Sequence, residues 1–397
     1  MIPFARISKY GNRPAVSDID KVYTPSGNTN GACLFLQYKD GTLYGIGGGT
    51  GSNYCFGLGS NGTTNYTEWQ LVFRNVKRFV SSLVEFAVIQ TTDNKFYYSG
   101  YQAFFGTGLT GFTTTWTEIT STFTKIFTPA QINSIVDIQV AWSQIFVQLE
   151  DGTLWGIGDN VSGVLANGST AKNTDFKLIT SEVKKFTIRL QTMYVIKNDS
   201  TLWISGQNSG YLFGAATPNN YFTLTKFNFT AGVKILDATL NGSGAYWLLQ
   251  GTGAPYMMVS GNTLNGNLGN GSTSNAVVFQ RNVTTGTDNL PFDESTKIFI
   301  NSDGINGCCI HSNGKLYGTG ENTTGRIGTG NTTNASRWTP AVNAQNVSNL
   351  IDFSASDHGT VYLTGAGDVY WAGRPFKAPF TAYYTTFTKL VLPRDSQ

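Results

Sequence analysis

The nine residues Glu150 to Gly158, EDGTLWGIG, constrain this chain more than any other stretch, because their pattern returns along it until the chain is nearly used up. Asp151-Gly152 suits a type I′ turn, with positive φ at both central positions, and lies between the apolar run Ile145-Phe146-Val147 and the run Leu154-Trp155. Two strands therefore meet there as a hairpin. Matching its last glycine lays the same hairpin over six other places, ending at Gly47, Gly100, Gly206, Gly261, Gly320 and Gly373. The residues in front read LYGIG from Leu43, FYYSG from Phe96, LWGIG from Leu154, LWISG from Leu202, MMVSG from Met257, LYGTG from Leu316 and VYWAG from Val369. Each has an apolar or aromatic pair followed by a small residue before the glycine. The glycines fall 48 to 59 residues apart. A period of this size marks an array of one supersecondary unit, which buries its apolar face only against its neighbours.

Such an array overrides the two or three domains that a length of 397 residues would otherwise suggest. Charged residues make up 13% of the chain and aromatics another 13%, beside 46 glycines, which is the composition of short strands and tight turns. No segment carries a convincing amphipathic helix pattern. Each unit opens on a strand with a basic or polar start, such as Val76-Lys77-Arg78-Phe79 or Val183-Lys184-Lys185-Phe186. The hairpin follows, then a loop of Gly, Asn, Ser and Thr, then a fourth strand such as Trp69 to Val72 or Phe176 to Ile179. Four strands in each of seven units predict an all-β fold, a seven-bladed β-propeller of four-stranded antiparallel blades over 17–397, preceded by an N-terminal arm over 1–16. The terminal strand Phe387 to Leu392 is expected to close the ring, with Phe4 to Ser8 as its rival.

After the glycine, unit six reads GENTTGRIGTG from Gly320, unit five GNTLNGNLGNG from Gly261, and unit three GDNVSGVLANG from Gly158. Together with DGTLWGIG, these residues resemble the repeat of the regulator of chromosome condensation family, whose units carry a G-x-N-x-x-G-Q-L-G-x-G-like loop after a DG-turned hairpin and close into a seven-bladed propeller. The resemblance covers nearly all of the chain from about Asp18 onward. It implies the fold and leaves the function open, since propellers of this kind serve many purposes. The family's founding member is a nucleotide-exchange factor for a small nuclear GTPase and docks on chromatin. Nothing here carries a basic tail or an acidic interaction loop, so that activity is not transferred.

Several chemistries are excluded on the residues themselves. The net charge is only +3 and no basic run exceeds the pairs Lys77-Arg78 and Lys184-Lys185, which disfavours a nucleic acid or an anionic membrane as partner. Cys33, Cys55, Cys308 and Cys309 lack zinc spacing and read as small buried hydrophobes, so no metal is expected. Gly47-Gly48-Gly49-Thr50-Gly51-Ser52 looks like a phosphate-binding loop, but no helix can follow it in the Gly, Asn, Thr and Tyr of 53–67, so no nucleotide or other cofactor is expected. His311 and His358 fall near strand positions with no nucleophile placed beside them, and turn chemistry accounts for the recurring Asp40, Asp93, Asp151 and Asp199. An enzyme is not expected. The amino terminus MIPFARISKYGNRPAV has no apolar run of signal-peptide length and no segment reaches the length of a membrane span, so synthesis in a cytoplasm without membrane insertion is expected.

Surface remains. Units two, four and seven replace the repeat loop with long aromatic stretches, YQAFFGTGLTGFTTTW, QNSGYLFGAATPNNYF and RPFKAPFTAYY. These offer Tyr101, Phe104, Phe105, Phe112, Trp116, Tyr211, Phe213, Tyr221 and Phe222 as candidate binding residues, either folded back over the blades or forming a contact face for a protein or a glycan. The Asn, Thr, Gly and aromatic-rich, charge-poor loops predict a non-enzymatic virion component, a phage tail or capsid-associated protein. It would be anchored through its N-terminal arm and meet other virion proteins or a host-surface protein or glycan. The alternative is a cytoplasmic interaction scaffold or exchange-factor-like relative of the family above.

Overall fold

The computed structural model describes residues 18–25, 32–48, 54–59, 64–82, 86–101, 112–141, 144–214, 220–229, 232–241, 243–253, 255–263, 265–281, 297–300, 308–312, 314–344, 347, 349–376 and 382–394. They form 28 strands gathered into four-stranded sheets, each made of four consecutive antiparallel strands. Numbered in chain order, the sheets span 19–73, 76–118, 135–180, 183–227, 234–281, 297–340 and 350–389. The molecule is an all-β propeller of four-stranded antiparallel blades. The N-terminal arm over 1–16, including Phe4 to Ser8, lies outside the described residues.

The first strands stand side by side around the axis. Tyr23 of sheet 1 meets Phe79 of sheet 2 edge to face at 5.1 Å between ring centroids. The ring is joined where Ile19–Tyr23 lies against Leu350–Ala355. There the Val22 N–H donates to Asp352 Oδ2 at 2.9 Å and the Thr24 N–H to Ser354 Oγ at 3.0 Å. The C-terminal strand does not cross into another sheet to make this join. The terminal strand, Tyr384–Lys389, is the fourth strand of its own sheet, and only the tail beyond it reaches sheet 1. The Trp69 Nε1 donates to the Val391 carbonyl at 3.2 Å, Leu392 is buried, and Arg394 pairs with Asp40 at 2.6 Å.

The apolar core is layered between neighbouring sheets, as a repeat that cannot bury itself requires. One cluster joins Phe35 and Phe56 of sheet 1 to Phe79 and Ile89 of sheet 2, and another joins Phe146 and Leu165 of sheet 3 to Phe186 and Val195 of sheet 4. The residues at the matched strand position, Leu43, Phe96, Leu154, Leu202, Met257, Leu316 and Val369, are all fully buried. The glycine that ends each match has φ between +92° and +134°. At Gly206 an added Cβ would lie 2.0 Å from the Gln191 carbonyl oxygen, the same oxygen that accepts from the Gln207 N–H. Position and conformation together admit only glycine there.

Two expectations are corrected. The hairpin turn is not type I′: only its last residue is left-handed, as at Gly41, Asn94, Gly152 and Ser200, and the turn closes from the Gly152 N–H to the Leu149 carbonyl. This is a three-residue loop ending in an αL residue. The reason is the next sheet. The Gly41 and Gly152 carbonyls accept from the N–H groups of Val76 and Val183, which open the following first strands, so the turn is also an interblade joint. The acids serve the turn as expected, since Asp40, Asp151 and Asp199 accept from the N–H groups of Thr42, Thr153 and Thr201. The second correction is helical. Two short helices, Thr120–Thr124 and Pro129–Asn133, lie between sheets 2 and 3 and bury Phe123 and Ile132. The second begins with a capping box between Thr128 and Gln131.

Candidate functional site

Each third strand ends at or beside its glycine on the face where the first strands also end, so the loops that follow the third strands gather on one side of the disc. Buried asparagines hold them. Asn160, Asn208 and Asn322 each accept, through Oδ1, from a backbone N–H five residues on, that of Leu165, Phe213 or Ile327. Each side chain thus folds its loop around an apolar residue that is buried in turn.

The folded loop then reaches the next sheet. The N–H groups of Gly59, Gly168, Gly271 and Gly330 donate to the carbonyls of Thr114, Phe222, Ser336 and Thr385, each on the fourth strand of the following sheet. The small residue before the glycine also takes part. Hydroxyls of Ser99, Ser205 and Thr319 donate to carbonyls of the preceding sheet's loop, Tyr54, Val164 and Gly266. Sequence reading singled out these loops and small residues without seeing that they bond to one another across the blades.

This clamp decides where the candidate aromatics go. Trp116 sits over Gly57 of the preceding loop and donates from Nε1 to the Phe56 carbonyl at 3.1 Å, and Trp338 and Phe387 take the equivalent places over Gly269 and Gly328. Phe213 is buried, and its ring meets that of half-buried Tyr221 at 5.1 Å. Tyr211 is half-buried with φ +63°. Tyr101 ends its strand opposite Phe112, and Phe104 and Phe105 lie outside the described residues. Two candidates are displayed. Phe112 is 42% exposed and stacks on Tyr54 at 4.4 Å, and Phe222 is 38% exposed two sheets away. Leu58 and Val161, exposed on the loops of the preceding sheets 1 and 3, add apolar surface on the same face.

At the axis, on this same face, lies a cavity of about 280 Å³. Its walls are the ends of five first strands. Phe79, Val80, Ile138, Val140 and Ile188 supply apolar surface, and Thr24, Ser81, Gln139, Arg189 and Ser354 supply polar groups. No motif announces it, because its residues come from points 330 residues apart. Gln139 ties two sheets together, donating to the Phe186 carbonyl at 3.0 Å and accepting from the Ile188 N–H at 3.2 Å.

Beneath the cavity runs a belt of charge. In six sheets the first strand slips register near its start, and the residue beyond the slip is Lys21, Arg78, Asp137, Lys185, Asp237 or Asp352. Opposite signs meet across joints: Lys185 pairs with Asp237, and Asp137 and Asp352 both feel Lys21. Burial raises the carboxyls of Asp137 and Asp352 above the ordinary range, against hydrogen bonds from Gln139 and from the Val22 N–H that act to lower them. Burial also pushes the Tyr23 phenol well up, reinforced by Asp352. The basic or polar strand starts were the visible trace of this belt.

Of the remaining titratable candidates, Cys33 and Cys55 are buried free thiols that burial pushes upward, and His358 is buried in the connection after the last first strand. The side chain of His311 and those of Cys308 and Cys309 lie outside the described residues. Among the described residues no helix is long and apolar enough to cross a membrane.

Hairpin, hinge glycine and asparagine-anchored loop define a propeller of the type found in the regulator of chromosome condensation family. Comparison with known proteins agrees on the fold. No family model and no curated protein matches the chain. Among solved structures it is similar to human WBSCR16, at 15% identity and a TM-score of 0.65, over 87% of this chain and 86% of that one. It is also similar to yeast RCC1 (Prp20), solved bound to Kap60, at 12% identity and a TM-score of 0.51, over 94% of this chain and 75% of that one. A further structure of Prp20p from Saccharomyces cerevisiae, presented with its binding properties to Gsp1p and histones, matches at 12% identity and a TM-score of 0.51, over 94% and 77%. Identities this low carry the fold alone.

Proposed function

We propose that the protein is a non-enzymatic binding propeller, a closed ring of seven blades whose loop face docks another protein. The observation that carries this reading is the display of Phe112, Leu58, Val161 and Phe222 on loops and strands that are otherwise locked by buried side chains and cross-blade hydrogen bonds. Rigid loops lose little entropy on binding, and exposed aromatics on a fixed scaffold are the usual anchors of protein contacts. The non-enzymatic reading rests on how the axial polar groups are employed, with the Thr24 and Ser354 hydroxyls bonded to one another and Gln139 committed to backbone. Prp20 is a fold-level precedent, since its structures are presented with Kap60, Gsp1p and histones. The comparisons lend no support to a virion component, a phage tail or a host glycan receptor, and the interaction scaffold in a cytoplasm takes precedence over that reading.

Photo-crosslinking residues placed at Phe112 and Phe222 should trap one discrete protein adduct in cells, and the same groups at Lys95 and Lys197, on the turn face, should not. An adduct arising only from the turn face, or from no position, would overturn the docking face. With the crosslinking residue moved to Leu58, the double variant Phe112→Ala, Phe222→Ala should lose the adduct while its melting temperature stays unchanged.

A further inference from the structure

We infer that the axial cavity binds a neutral, largely apolar group that presents one hydrogen-bond-accepting oxygen. This inference stands apart from the docking face, since it uses none of the residues proposed there. A cavity of roughly 150 Å³ already holds benzene, so a volume of about 280 Å³ takes an aromatic ring with a short substituent. The walls are two-sided. Phe79, Val80, Ile138, Val140 and Ile188, from sheets 2, 3 and 4, supply apolar surface, and Thr24 and Ser354 bring hydroxyls from the joint of sheets 7 and 1.

The groups around the cavity leave no partner for an ion. Arg189, the one charged residue among its described walls, is already engaged within the chain. Gln139 commits its amide to Asp137, the Phe186 carbonyl and the Ile188 N–H. The belt beneath sets Lys21, Arg78 and Lys185 against Asp137, Asp237 and Asp352, so it favours neither sign. An ion entering here would lose its water without gaining a counter-charge, which costs far more than burying a neutral group. The hydroxyls then set the polarity of the ligand. The Thr24 N–H donates to Ser354 Oγ, and the two hydroxyls lie 2.9 Å apart. Whichever of them donates to the other, the pair holds two protons and one bond, and neither side chain makes a further hydrogen bond among the described residues. One proton is left over in either arrangement, and a ligand oxygen that accepts it completes the pair.

The test is a methyl NMR titration of the native protein, read at Ile138 and Ile188, with acetophenone, its anionic analogue benzoate and its apolar analogue ethylbenzene. Acetophenone should shift these methyls and bind at least about tenfold more tightly than benzoate. The double variant Thr24→Val, Ser354→Ala, which removes both hydroxyl protons, should weaken acetophenone at least about threefold and leave ethylbenzene unchanged. Val140→Trp, which fills the cavity, should abolish binding of both neutral probes. Benzoate binding as tightly as acetophenone, an unchanged acetophenone affinity in the double variant, or no methyl shift with any probe would overturn the proposal. The native comparison alone decides should the double variant fail to fold. Crosslinking from Leu58 separates the two sources of such a group: loss of the adduct in Val140→Trp assigns the cavity to a side chain of the docked protein, and its retention to a free molecule. Absence of any adduct in the native protein would count against the docking face and leave the titration result untouched.

Discussion

Two kinds of joint between blades contrast. Between sheets 3 and 4, 5 and 6, and 6 and 7, the repeat loop bonds onto the next outer strand, and the joint is made of backbone hydrogen bonds around a glycine. Between sheets 2 and 3 the joint contains the two short helices, and it is aromatic. Phe123 stacks on Phe96 with 3.7 Å between centroids and meets Phe176 of sheet 3 at 4.9 Å, while Phe127 packs edge to face on Trp155. The contrast teaches that the ring needs each gap filled but not by the same chemistry. A regular loop fills it by shape and polar satisfaction, and an inserted segment by buried area.

The two kinds should break differently. Phe123→Ala removes a fully buried ring from the irregular joint and should cost about 3–5 kcal/mol in urea unfolding, the largest effect expected of a single truncation here. A loss under about 1 kcal/mol would show that the helices merely cover a joint already closed by other contacts. In the regular joint the sensitive residue is the glycine. At Gly266, with φ +80°, an added Cβ would stand 2.4 Å from Ser336 Cα of the next sheet. Gly266→Val should cost about 3 kcal/mol, from left-handed strain and displaced backbone together. Hydrogen exchange should then show the opening confined to the joint of sheets 5 and 6. Uniform loss of protection would mean that the joints do not act separately.

The asparagine that shapes each loop comes next. Asn322→Ala strips the acceptor from the buried Ile327 N–H and the donor from the Asn331 carbonyl, for about 1–3 kcal/mol in thermal unfolding. Wild-type stability in this variant would place the loop's rigidity in its glycines alone.

These joints also mark how far the sequence could be read. The matched leucines and glycines were legible because strand burial recurs at a fixed position in every unit. The turn type was not, since Asp-Gly serves either turn and the entering strand of the next blade made the choice. The helices were missed because each is five residues long, too short for a 3.6-residue period to register, although Thr128-Pro129-Ala130-Gln131 held a capping box. The aromatic candidates divided on a feature no single stretch contains. Trp116 and Phe112 lie four residues apart on one strand, and only Trp116 falls under a glycine of the preceding loop. The axial cavity left no motif at all, because five separate strand ends build it.

The smallest expected effect tests the one joint that the chain's connectivity does not supply. Sheets 7 and 1 meet through first strands and through the tail, where the Arg394 guanidinium lies 3.9 Å from the centroid of the Tyr38 ring and pairs with Asp40. Burial acts to raise the Asp40 carboxyl, but the Thr42 N–H and Arg394 outweigh it and hold the group below the ordinary range. Burial likewise works against the Arg394 cation, and Asp40 overcomes it. Both shifts point to a favourable pair, yet Asp40 is half exposed, so water and salt screen most of it. Arg394→Ala should therefore cost less than about 1 kcal/mol. A depressed carboxyl contributes stability above its unfolded pKa, about 3.9 for aspartate, and loses it as pH falls through the folded value. The difference between wild type and Arg394→Ala should thus shrink as the pH drops below about 4, and again in about 1 M salt, where the screening length is near 3 Å. A difference that persists in both conditions would place the tail's contribution in the stacking of Arg394 on Tyr38 and the burial of Leu392, making this joint apolar like the one between sheets 2 and 3.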